Sequence, residues 1–353
     1  MPREPRQSVN AGRFSIDTQH PVNDQRLVEL QSWVRQLDGL AAARIAPASE
    51  DASFRRYFRV TTQSRTLIAM DAPPALEDSA PFVTIAAYLA ACGLNAPRII
   101  KADLERGYML LSDLGDQQYL EPLRTEPAAA SRLYGDAIEA LLQMQSHGRE
   151  FQSRLPPFDT EYMHSELALF RDWLCKEKCG LNFSSDDDSN WRATCATLIE
   201  NANEQPAVFV HRDFHSRNLM VTEQDNPGVL DFQDAMEGPL TYDLVSLLKD
   251  CYFKLPLDEV ERLAMSFYAG LPQATQAQLS PDAFKRAFDL MGVQRHLKAS
   301  GIFARLDKRD GKPRYMADVP RTLSYIAEVA PRYEELEFLE DLLRERLLPQ
   351  LVA

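Results

Sequence analysis

The chain has 353 residues, of which 45% are hydrophobic and 26% charged, enough for a bilobal unit with large cores. Its net charge of -13 argues against partners that present phosphate backbones or anionic lipids, so we predict binding to neither nucleic acid nor membranes. No run approaches the about twenty apolar residues of a membrane span, and the N-terminus lacks the hydrophobic segment of a signal peptide. The expected location is the cytoplasm.

The first third of the chain has the pattern of a small, strand-rich lobe. Residues 1–22 are polar and without a period, so we predict a flexible arm there. Residues 23–111 combine short β-prone runs with two helical patterns, and we interpret them as one lobe. The predicted elements are a helix over 25–37 capped by Asn23 and Asp24, strands over 54–60 and 66–70, a helix over 81–92, and strands over 98–100 and 108–111.

Beyond residues 112–117 the pattern becomes mainly helical, so we predict a hinge there and a larger lobe over 118–353. Short apolar runs predict strands that interrupt the helices. The predicted helices cover 128–146, 159–178, 242–252, 257–268 and 282–299 with further helices to the C-terminus, and the strands cover 207–210, 219–221 and 229–232. The acidic tract at 186–188 is expected on the surface.

The most informative motif runs from His211 to Asn218, reads His-Arg-Asp-Phe-His-Ser-Arg-Asn, and is followed by Asp231 after an apolar run. Kinase catalytic loops have this His-Arg-Asp-x-x-x-x-Asn spacing, in which the Asp accepts the acceptor's hydroxyl proton and the Asn binds magnesium beside a downstream Asp. Carboxylate and amide oxygens are the hard ligands that Mg²⁺ prefers. We therefore predict phosphoryl transfer, with Asp213 as general base and Asn218 and Asp231 as metal ligands.

Four neighbouring residues have less specific patterns. A His in the position of His211 more often braces the loop backbone than touches substrate, so we expect a scaffold role. Asp243 stands at a predicted helix start, which favours N-capping over metal binding. Asp234 could face the substrate or be a solvated turn carboxylate, and both alternatives stay open. Arg217 could contact a phosphate or form an ion pair with a nearby acid.

The order of a β-rich lobe, a linker and a helical lobe resembles the aminoglycoside phosphotransferase and choline kinase group of small-molecule kinases, over about residues 25–345. The segments that carry this resemblance are the loop at 210–219, Leu-Asp-Phe-Gln-Asp-Ala at 230–235 and Gly-Pro-Leu-Thr-Tyr-Asp-Leu at 238–244. Three others resemble bacterial anomeric N-acetylmuramate and N-acetylglucosamine kinases: Met-Asp-Ala-Pro-Pro at 70–74, Leu-Ser-Asp-Leu-Gly-Asp at 111–116, and His-Leu-Lys-Ala-Ser-Gly-Ile-Phe-Ala-Arg-Leu at 296–306.

The resemblance implies an α+β, bilobal, protein-kinase-like fold with ATP as phosphate donor and Mg²⁺ as metal. It implies that the small lobe binds the nucleotide and that backbone groups near Ser112, Asp113 and Leu114 read the edge of the base. In this group an Asp at the position of Asp243 caps the following helix and supports the catalytic loop. The narrower resemblance implies an anomeric sugar hydroxyl as acceptor, in the recycling of cell-wall amino sugars.

The small lobe lacks one expected residue. Kinases commonly carry a Lys on the third strand that grips the α- and β-phosphates, whereas this chain has Met70 at that position. A thioether cannot replace an ammonium group, so another cation is needed. Strand alternation places Arg56 with Phe58 and Val60, an apolar set expected to face the cleft, and Arg55 on the opposite face. We predict that Arg56 binds the nucleotide; a surface Arg that packs its stem on the sheet is the alternative.

Charge by itself does not decide between the possible substrates. Polycationic aminoglycosides need an acidic surface, whereas the carboxylate of a muramate sugar favours a nearby cation. The chain offers both signs, in the acidic tract at 186–188 and in a basic run at 305–314. Three hypotheses stand: an anomeric kinase of an N-acetylated amino sugar, a kinase of an amino alcohol, aminoglycoside or other small hydroxyl compound, and a kinase-shaped binding protein without turnover. The oligomeric state is left open.

Overall fold

The computed structural model describes residues 24–50 and 54–352, and the predicted arm at 1–22 lies outside the described residues. The N-terminal part consists of one sheet and two helices. Its elements are α1 (Gln25–Arg35), β1 (Arg44–Glu50), β2 (Arg56–Thr61), β3 (Thr66–Asp71), α2 (Ala80–Ala91), β4 (Ile99–Asp103) and β5 (Tyr108–Ser112). The predicted helices and hairpin are confirmed, whereas β1 is a strand that the sequence pattern did not predict.

All five strands pair antiparallel in the order β1-β2-β3-β5-β4, and the sheet is covered on both faces. The carboxylate of Asp24 caps α1 by accepting a hydrogen bond from the Leu27 amide at 3.1 Å. Phe58 and Val60 pack with apolar residues of α1 in a core of their own. Met70 belongs to a second core, which the sheet shares with α2 and the helical part of the chain.

Beyond β5 the chain is mainly helical, with two short strand ribbons. The helices are α3 (Leu120–Thr125), α4 (Ala130–His147), α5 (Thr160–Leu169, continued by a π-helical stretch at Phe170–Lys178), α6 (Ser185–Asn203), α7 (Tyr242–Leu248), α8 (Leu257–Gly270), α9 (Gln273–Gln278), α10 (Pro281–Lys308), α11 (Val319–Val329), α12 (Glu337–Asp341, continued by a π-helical stretch at Leu342–Leu347) and α13 (Leu348–Val352). The ribbons pair β6 (Ala207–Val210) with β9 (Met236–Pro239), and β7 (Leu219–Met220) with β8 (Gly228–Val229). None of the described helices is long and apolar enough to cross a membrane.

Several helices differ from prediction: α3 and α9 were not predicted, and α10 continues to Lys308 rather than ending at residue 299. α7 ends at Leu248 rather than at residue 252. α6 occupies a segment for which the sequence indicated only a surface acidic tract, and residues 186–188 form its first turn. Ser184 and Asp187 build a capping box there, because the Asp187 amide donates to Ser184 Oγ at 3.1 Å and the Ser184 amide to Asp187 Oδ2 at 2.9 Å. The acidic tract therefore marks a helix N-terminus, where negative charge is favourable.

α10 is the longest helix described, and most of its residues are buried, including the charged residues Arg295 and Lys298. Gly301 lets it cross the chain at the end of α5, since a Cβ at this position would lie 2.3 Å from the carbonyl carbon of Leu169. Buried charges on a helix require partners. Those partners lie around the cleft.

The predicted lobe boundaries, with a small lobe over 23–111, a hinge over 112–117 and a larger lobe over 118–353, stay predictions.

Candidate active site

A cleft of about 660 Å³ lies between the five-stranded sheet and the helical part, a volume typical of small-molecule sites. One half is lined from the sheet and the predicted hinge, and the other from the loop at 211–218 and α10. Residues of the first half include Ile68, Leu111, Ser112, Asp113, Leu114, Met220 and Leu230, and those of the second include Asp213, His215, Arg217, Tyr252, Arg295, Lys298, Ile302, Phe303 and Tyr315.

The loop at 211–218 follows β6 and is held by a buried carboxylate. Asp243 accepts hydrogen bonds from the amides of His211 at 2.6 Å and Arg212 at 2.9 Å. Burial raises the pKa of Asp243 to about 7, against the effect of these two amides. The predicted N-cap role is wrong, because Thr241 takes the capping position and no side-chain hydrogen bond caps α7 within the described residues. Asp243 supports the loop instead.

A second buried carboxylate holds the middle of the loop. Asp250 accepts hydrogen bonds from the amides of Ser216 at 3.0 Å and Tyr252 at 2.8 Å, and a short one from the Ser216 hydroxyl. Sequence reasoning missed this residue. Its partners are set by the packing of the segment after α7 against the loop, and no local spacing indicates that contact.

Asp213 lines the cleft and is surrounded by cations. Burial alone would raise the pKa of its carboxyl group, but nearby positive charges, Lys298 foremost, lower it to about 2. Asp213 is therefore ionised at neutral pH and able to accept a proton. Lys298 and a second contributor, Arg295, both lie on α10, so this helix sets the charge state of the carboxylate.

The His211 ring is fully buried behind the loop. Its Nδ1 atom accepts a hydrogen bond from the Asp213 amide at 3.3 Å, and burial lowers its pKa to about 4. A neutral ring that fixes the backbone of Asp213 agrees with the predicted scaffold role. His215 lines the cleft, and burial lowers its pKa as well.

Asn218 and Asp231 lie side by side in the cleft. Asn218 Nδ2 donates to the Asp213 carbonyl oxygen at 3.0 Å and to Asp231 Oδ2 at 3.4 Å, and Gln233 Nε2 donates to Asp231 Oδ1 at 2.8 Å. Among the residues that the structure describes, no group of three or more His, Cys, Asp or Glu side chains is arranged to hold a metal ion. Mg²⁺ is usually bound through one or two carboxylates together with phosphate oxygens and water, and the Asn218 and Asp231 oxygens fit that donor set.

A buried acid near Asp213 joins two cations. Glu166 Oε1 lies 3.0 Å from Lys298 Nζ and 3.1 Å from Arg212 Nη2, and Gln294 Nε2 donates to Glu166 Oε2 at 3.0 Å. Lys298 Nζ also donates to the Tyr242 hydroxyl at 2.8 Å. Sequence reasoning missed Glu166 and Lys298 as site residues. They lie on α5 and α10, which the tertiary fold alone brings to the loop.

The structure corrects the predicted face of Arg56. Arg56 does share a strand face with Phe58, but that face packs on α1 and not on the cleft. Its guanidinium pairs with the buried carboxylate of Asp71 at 2.5 Å and with Asp24. Arg59, on the opposite face of β2, lines the cleft instead. The prediction that Arg56 faces the cleft is therefore wrong, because the apolar side of this strand belongs to the α1 core.

Arg55 lies just before β2, and its side chain is largely buried. It forms an ion pair with Glu77 at 3.3 Å, with the two side chains 10% and 13% exposed. Burial opposes the charge, but Tyr57, Glu77 and Asp231 together raise the pKa of Arg55. Asp231, the candidate metal ligand, is thus one of the charges that act on Arg55, although Arg55 itself is not among the described residues that line the cleft.

The three predicted hinge residues all line the cleft. The Ser112 amide donates to the Arg98 carbonyl at 2.9 Å, and the Arg98 amide donates to Ser112 Oγ at 2.9 Å, so β5 is tied to the segment before β4. The Asp113 carboxylate pairs with Arg59 Nε at 2.8 Å. Leu114 continues the cleft wall, and the reading of a nucleotide base by these residues stays a prediction.

The sheet, the helical part and the loop with Asp213, Asn218 and Asp231 in one cleft define the class of the protein: a kinase-like phosphotransferase with a hydroxyl acceptor. Its fold is shared by a choline kinase from Cryptosporidium parvum Iowa II, with a TM-score of 0.61 and 12% identity over 90% of this chain and 99% of that chain. An ADP-bound aminoglycoside phosphotransferase has a TM-score of 0.56 and 14% identity over 87% of this chain and 99% of that chain. The predicted α+β bilobal fold is confirmed.

The model of the family described as "Phosphotransferase enzyme family" matches residues 44–286, and the chain belongs to this family. Curated relatives are similar over most of their length. The chain is 46% identical over 313 residues to the N-acetylmuramate/N-acetylglucosamine kinase of Pseudomonas aeruginosa. This match covers 87% of this chain and 89% of the relative. It is 39% identical over 329 residues to the protein of the same name from Neisseria meningitidis serogroup B, with coverages of 91% and 96%.

Proposed function

We propose that this chain is an ATP-dependent kinase that transfers the γ-phosphate to the anomeric hydroxyl of N-acetylmuramate and N-acetylglucosamine. The carrying observation is the position of Asp213 beside Asn218 and Asp231, in one cleft between the hinge and α10. The names of the relatives support the choice of acceptor. Such an enzyme would act in the cytoplasm, in the recycling of cell-wall amino sugars.

Asp213 is the proposed general base. The acceptor oxygen forms a bond to the γ-phosphorus while the bond to the ADP oxygen breaks, and the hydroxyl proton passes to the Asp213 carboxylate. The cations on α10 keep this carboxylate ionised before the proton arrives. The amide of Asp213 is held by His211 and its carbonyl oxygen by Asn218, so the base has a fixed backbone.

Asn218 and Asp231 are the proposed magnesium ligands. The ion, when bound, neutralises negative charge on the nucleotide phosphates. Because Asn218 Nδ2 donates to the Asp213 carbonyl, the Asn218 side chain ties the metal position to the backbone of the base. Gln233 orients the Asp231 carboxylate by donating a hydrogen bond to its Oδ1 atom.

The nucleotide is proposed to lie in the hinge half of the cleft. Ser112, Asp113 and Leu114 flank the base, and Leu114 is the better candidate for backbone recognition because the Ser112 amide already donates to Arg98. Arg55 replaces Arg56 as the proposed phosphate-binding cation. Its support is its burial, its attachment to Glu77 and its attraction to Asp231.

The acceptor half of the cleft favours an anionic or neutral sugar over a polycationic drug. The acids among the described residues around this half are the proposed base Asp213 and, beside Asn218, the proposed metal ligand Asp231, whereas Arg217, Arg295 and Lys298 are cations. An aminoglycoside would need acidic partners for its ammonium groups. The observed charges therefore disfavour the cationic acceptors of the second hypothesis, the amino alcohols and aminoglycosides, and leave its other small hydroxyl compounds open.

One experiment tests the function directly. The purified chain is incubated with ATP, Mg²⁺ and a panel of amino sugars, amino alcohols and aminoglycosides, and the phosphorylated products are identified by mass spectrometry and NMR. Phosphorylation of the anomeric hydroxyl abolishes the reducing end, so a product that keeps its reducing end contradicts the proposal. Asp213→Asn should lower kcat by about two to four powers of ten while the fold is retained.

A further inference from the structure

Arg217 is a cation of the acceptor half whose hydrogen-bonding groups are not taken up by an acid. It lies in the catalytic loop one residue before Asn218, and its partly exposed side chain lines the cleft. The guanidinium carbon lies 3.8 Å from the ring centroid of Tyr252, a close cation–π contact. Within the described residues, no ion pair or hydrogen bond is formed by the Arg217 side chain. The contact with Tyr252 holds the guanidinium group in place, while its N–H groups stay available.

The other cations of the cleft are differently placed. Lys298 is buried and committed to Glu166. Arg59 pairs with Asp113 in the hinge half. Arg295 is buried, 5% exposed, and its guanidinium contacts Cys251 Sγ at 3.7 Å. Arg217 is therefore the cation best placed to meet a ligand at the mouth of the acceptor half.

An aromatic wall extends from Tyr252 across the acceptor half. The ring centroids of Tyr252 and Phe303 lie 6.3 Å apart, and those of Phe303 and Tyr315 lie 5.9 Å apart with ring planes at 14°. All three rings line the cleft. Aromatic surfaces of this kind bury the apolar face of a ligand while a neighbouring polar group fixes its orientation. A ring with an apolar face and one anionic substituent suits both features.

We propose that Arg217, held on Tyr252, binds the carboxylate of the acceptor and so determines how well the enzyme uses a carboxylate-bearing amino sugar relative to its neutral counterpart. This inference rests on the proposed function, in which N-acetylmuramate and N-acetylglucosamine differ by one lactyl ether that carries the carboxylate. A guanidinium can bind a carboxylate through two parallel N–H···O bonds. The aromatic wall receives the sugar ring in both substrates, whereas Arg217 acts on only one of them.

The test compares the two sugars in one set of proteins. We expect Arg217→Gln to lower the ratio of kcat/KM for N-acetylmuramate to kcat/KM for N-acetylglucosamine by about ten- to a hundred-fold, the loss typical of a hydrogen bond to a charged group. Arg217→Lys keeps the positive charge but lacks the planar arrangement of N–H donors, so its ratio should lie between those of the wild type and Arg217→Gln. Arg262→Gln removes the same charge from an exposed side chain on α8 that pairs with Glu259, and should leave the ratio unchanged.

The methyl ester of N-acetylmuramate provides a second arm that needs no variant. The wild-type protein should use the ester about ten- to a hundred-fold less well than the acid, and Arg217→Gln should use the two about equally. Equal use of acid and ester by the wild type overturns the inference. An equal loss for both sugars in Arg217→Gln also overturns it, because Arg217 would then act on the transferred phosphate. Failure of the wild type to phosphorylate either sugar contradicts the proposed function instead.

Discussion

Lys298 Nζ lies 3.0 Å from Glu166 Oε1, and both side chains are buried next to the loop that carries Asp213. Glu166 also binds Arg212 of that loop, so one carboxylate connects α5, α10 and the His-Arg-Asp motif. A buried ion pair contributes little net stability when it is complete, but the loss of one partner leaves an uncompensated charge. Glu166 therefore has two effects: it holds Lys298 and Arg212 near Asp213, and its loss would destabilise the helical part.

Glu166→Gln should destabilise the protein by about 3–5 kcal/mol, because Lys298 and Arg212 would lose the buried carboxylate that both of them contact. Urea unfolding followed by tryptophan fluorescence measures this change, since Trp173 and Trp191 lie in the helical part. Glu200→Gln makes the same chemical change at an exposed position of α6 and should have little effect. Equal midpoints for the two variants would contradict a structural role for Glu166.

Buried histidines predict a loss of stability in mild acid. Burial lowers the pKa of His296 to about 3 and that of His211 to about 4. The Nε2 atom of His296 lies 2.7 Å from the Lys249 carbonyl oxygen. Below pH 6.5 the unfolded chain takes up protons that these folded rings cannot accept, so each ring costs about 1.4 kcal/mol per pH unit between pH 6.5 and its folded pKa.

His296→Gln should therefore make the free energy of unfolding less steep in pH between 6.5 and 5, since glutamine keeps a hydrogen-bond donor but does not titrate. His164→Gln makes the same chemical change at an exposed position of α5 and serves as the control. Urea unfolding at several pH values gives both slopes. An unaltered slope in His296→Gln would show that this ring titrates normally in the folded protein.

Sequence patterns correctly predicted those features that depend on residues close together in the chain, such as helix caps and the catalytic loop. Asp24 caps α1 as expected, and the loop spacing brings Asn218 into contact with Asp213 and Asp231. These outcomes require only a cap, a turn and two short strands, which neighbouring residues determine. Glu166 illustrates the opposite case, because its contacts with α10 depend on how whole helices pack.

The assignment of strand faces failed for a related reason. Alternation correctly grouped Arg56 with Phe58, but both faces of the sheet are covered by apolar side chains, so hydrophobicity alone could not show which face looks into the cleft. α1 takes the face of Phe58. The cleft receives the face of Arg59 instead.

Asp231→Asn should raise the Mg²⁺ concentration needed for half-maximal activity by at least about ten-fold and lower kcat/KM for ATP, because the substitution removes the charge that would hold the ion. A Mg²⁺ titration at constant ATP, with ADP release as readout, measures both effects. Asp234→Asn removes a charge from an exposed neighbour that does not line the cleft, and should behave as wild type. Identical Mg²⁺ dependence in Asp231→Asn and Asp234→Asn would remove Asp231 from the metal site.

Arg55 and Arg56 are adjacent residues for which opposite effects are expected. Arg55→Gln should raise the KM for ATP by about ten-fold or more, since a cation that meets a phosphate would be lost. Arg56→Gln should leave that KM nearly unchanged but lower the free energy of unfolding by about 1.5–3 kcal/mol, because the buried Asp71 loses one of its two guanidinium partners. Steady-state kinetics and urea unfolding on both variants separate the two roles. If Arg56→Gln raises the KM for ATP while Arg55→Gln does not, the nucleotide phosphates are bound from the α1 face of β2, and the assignment of Arg55 is wrong.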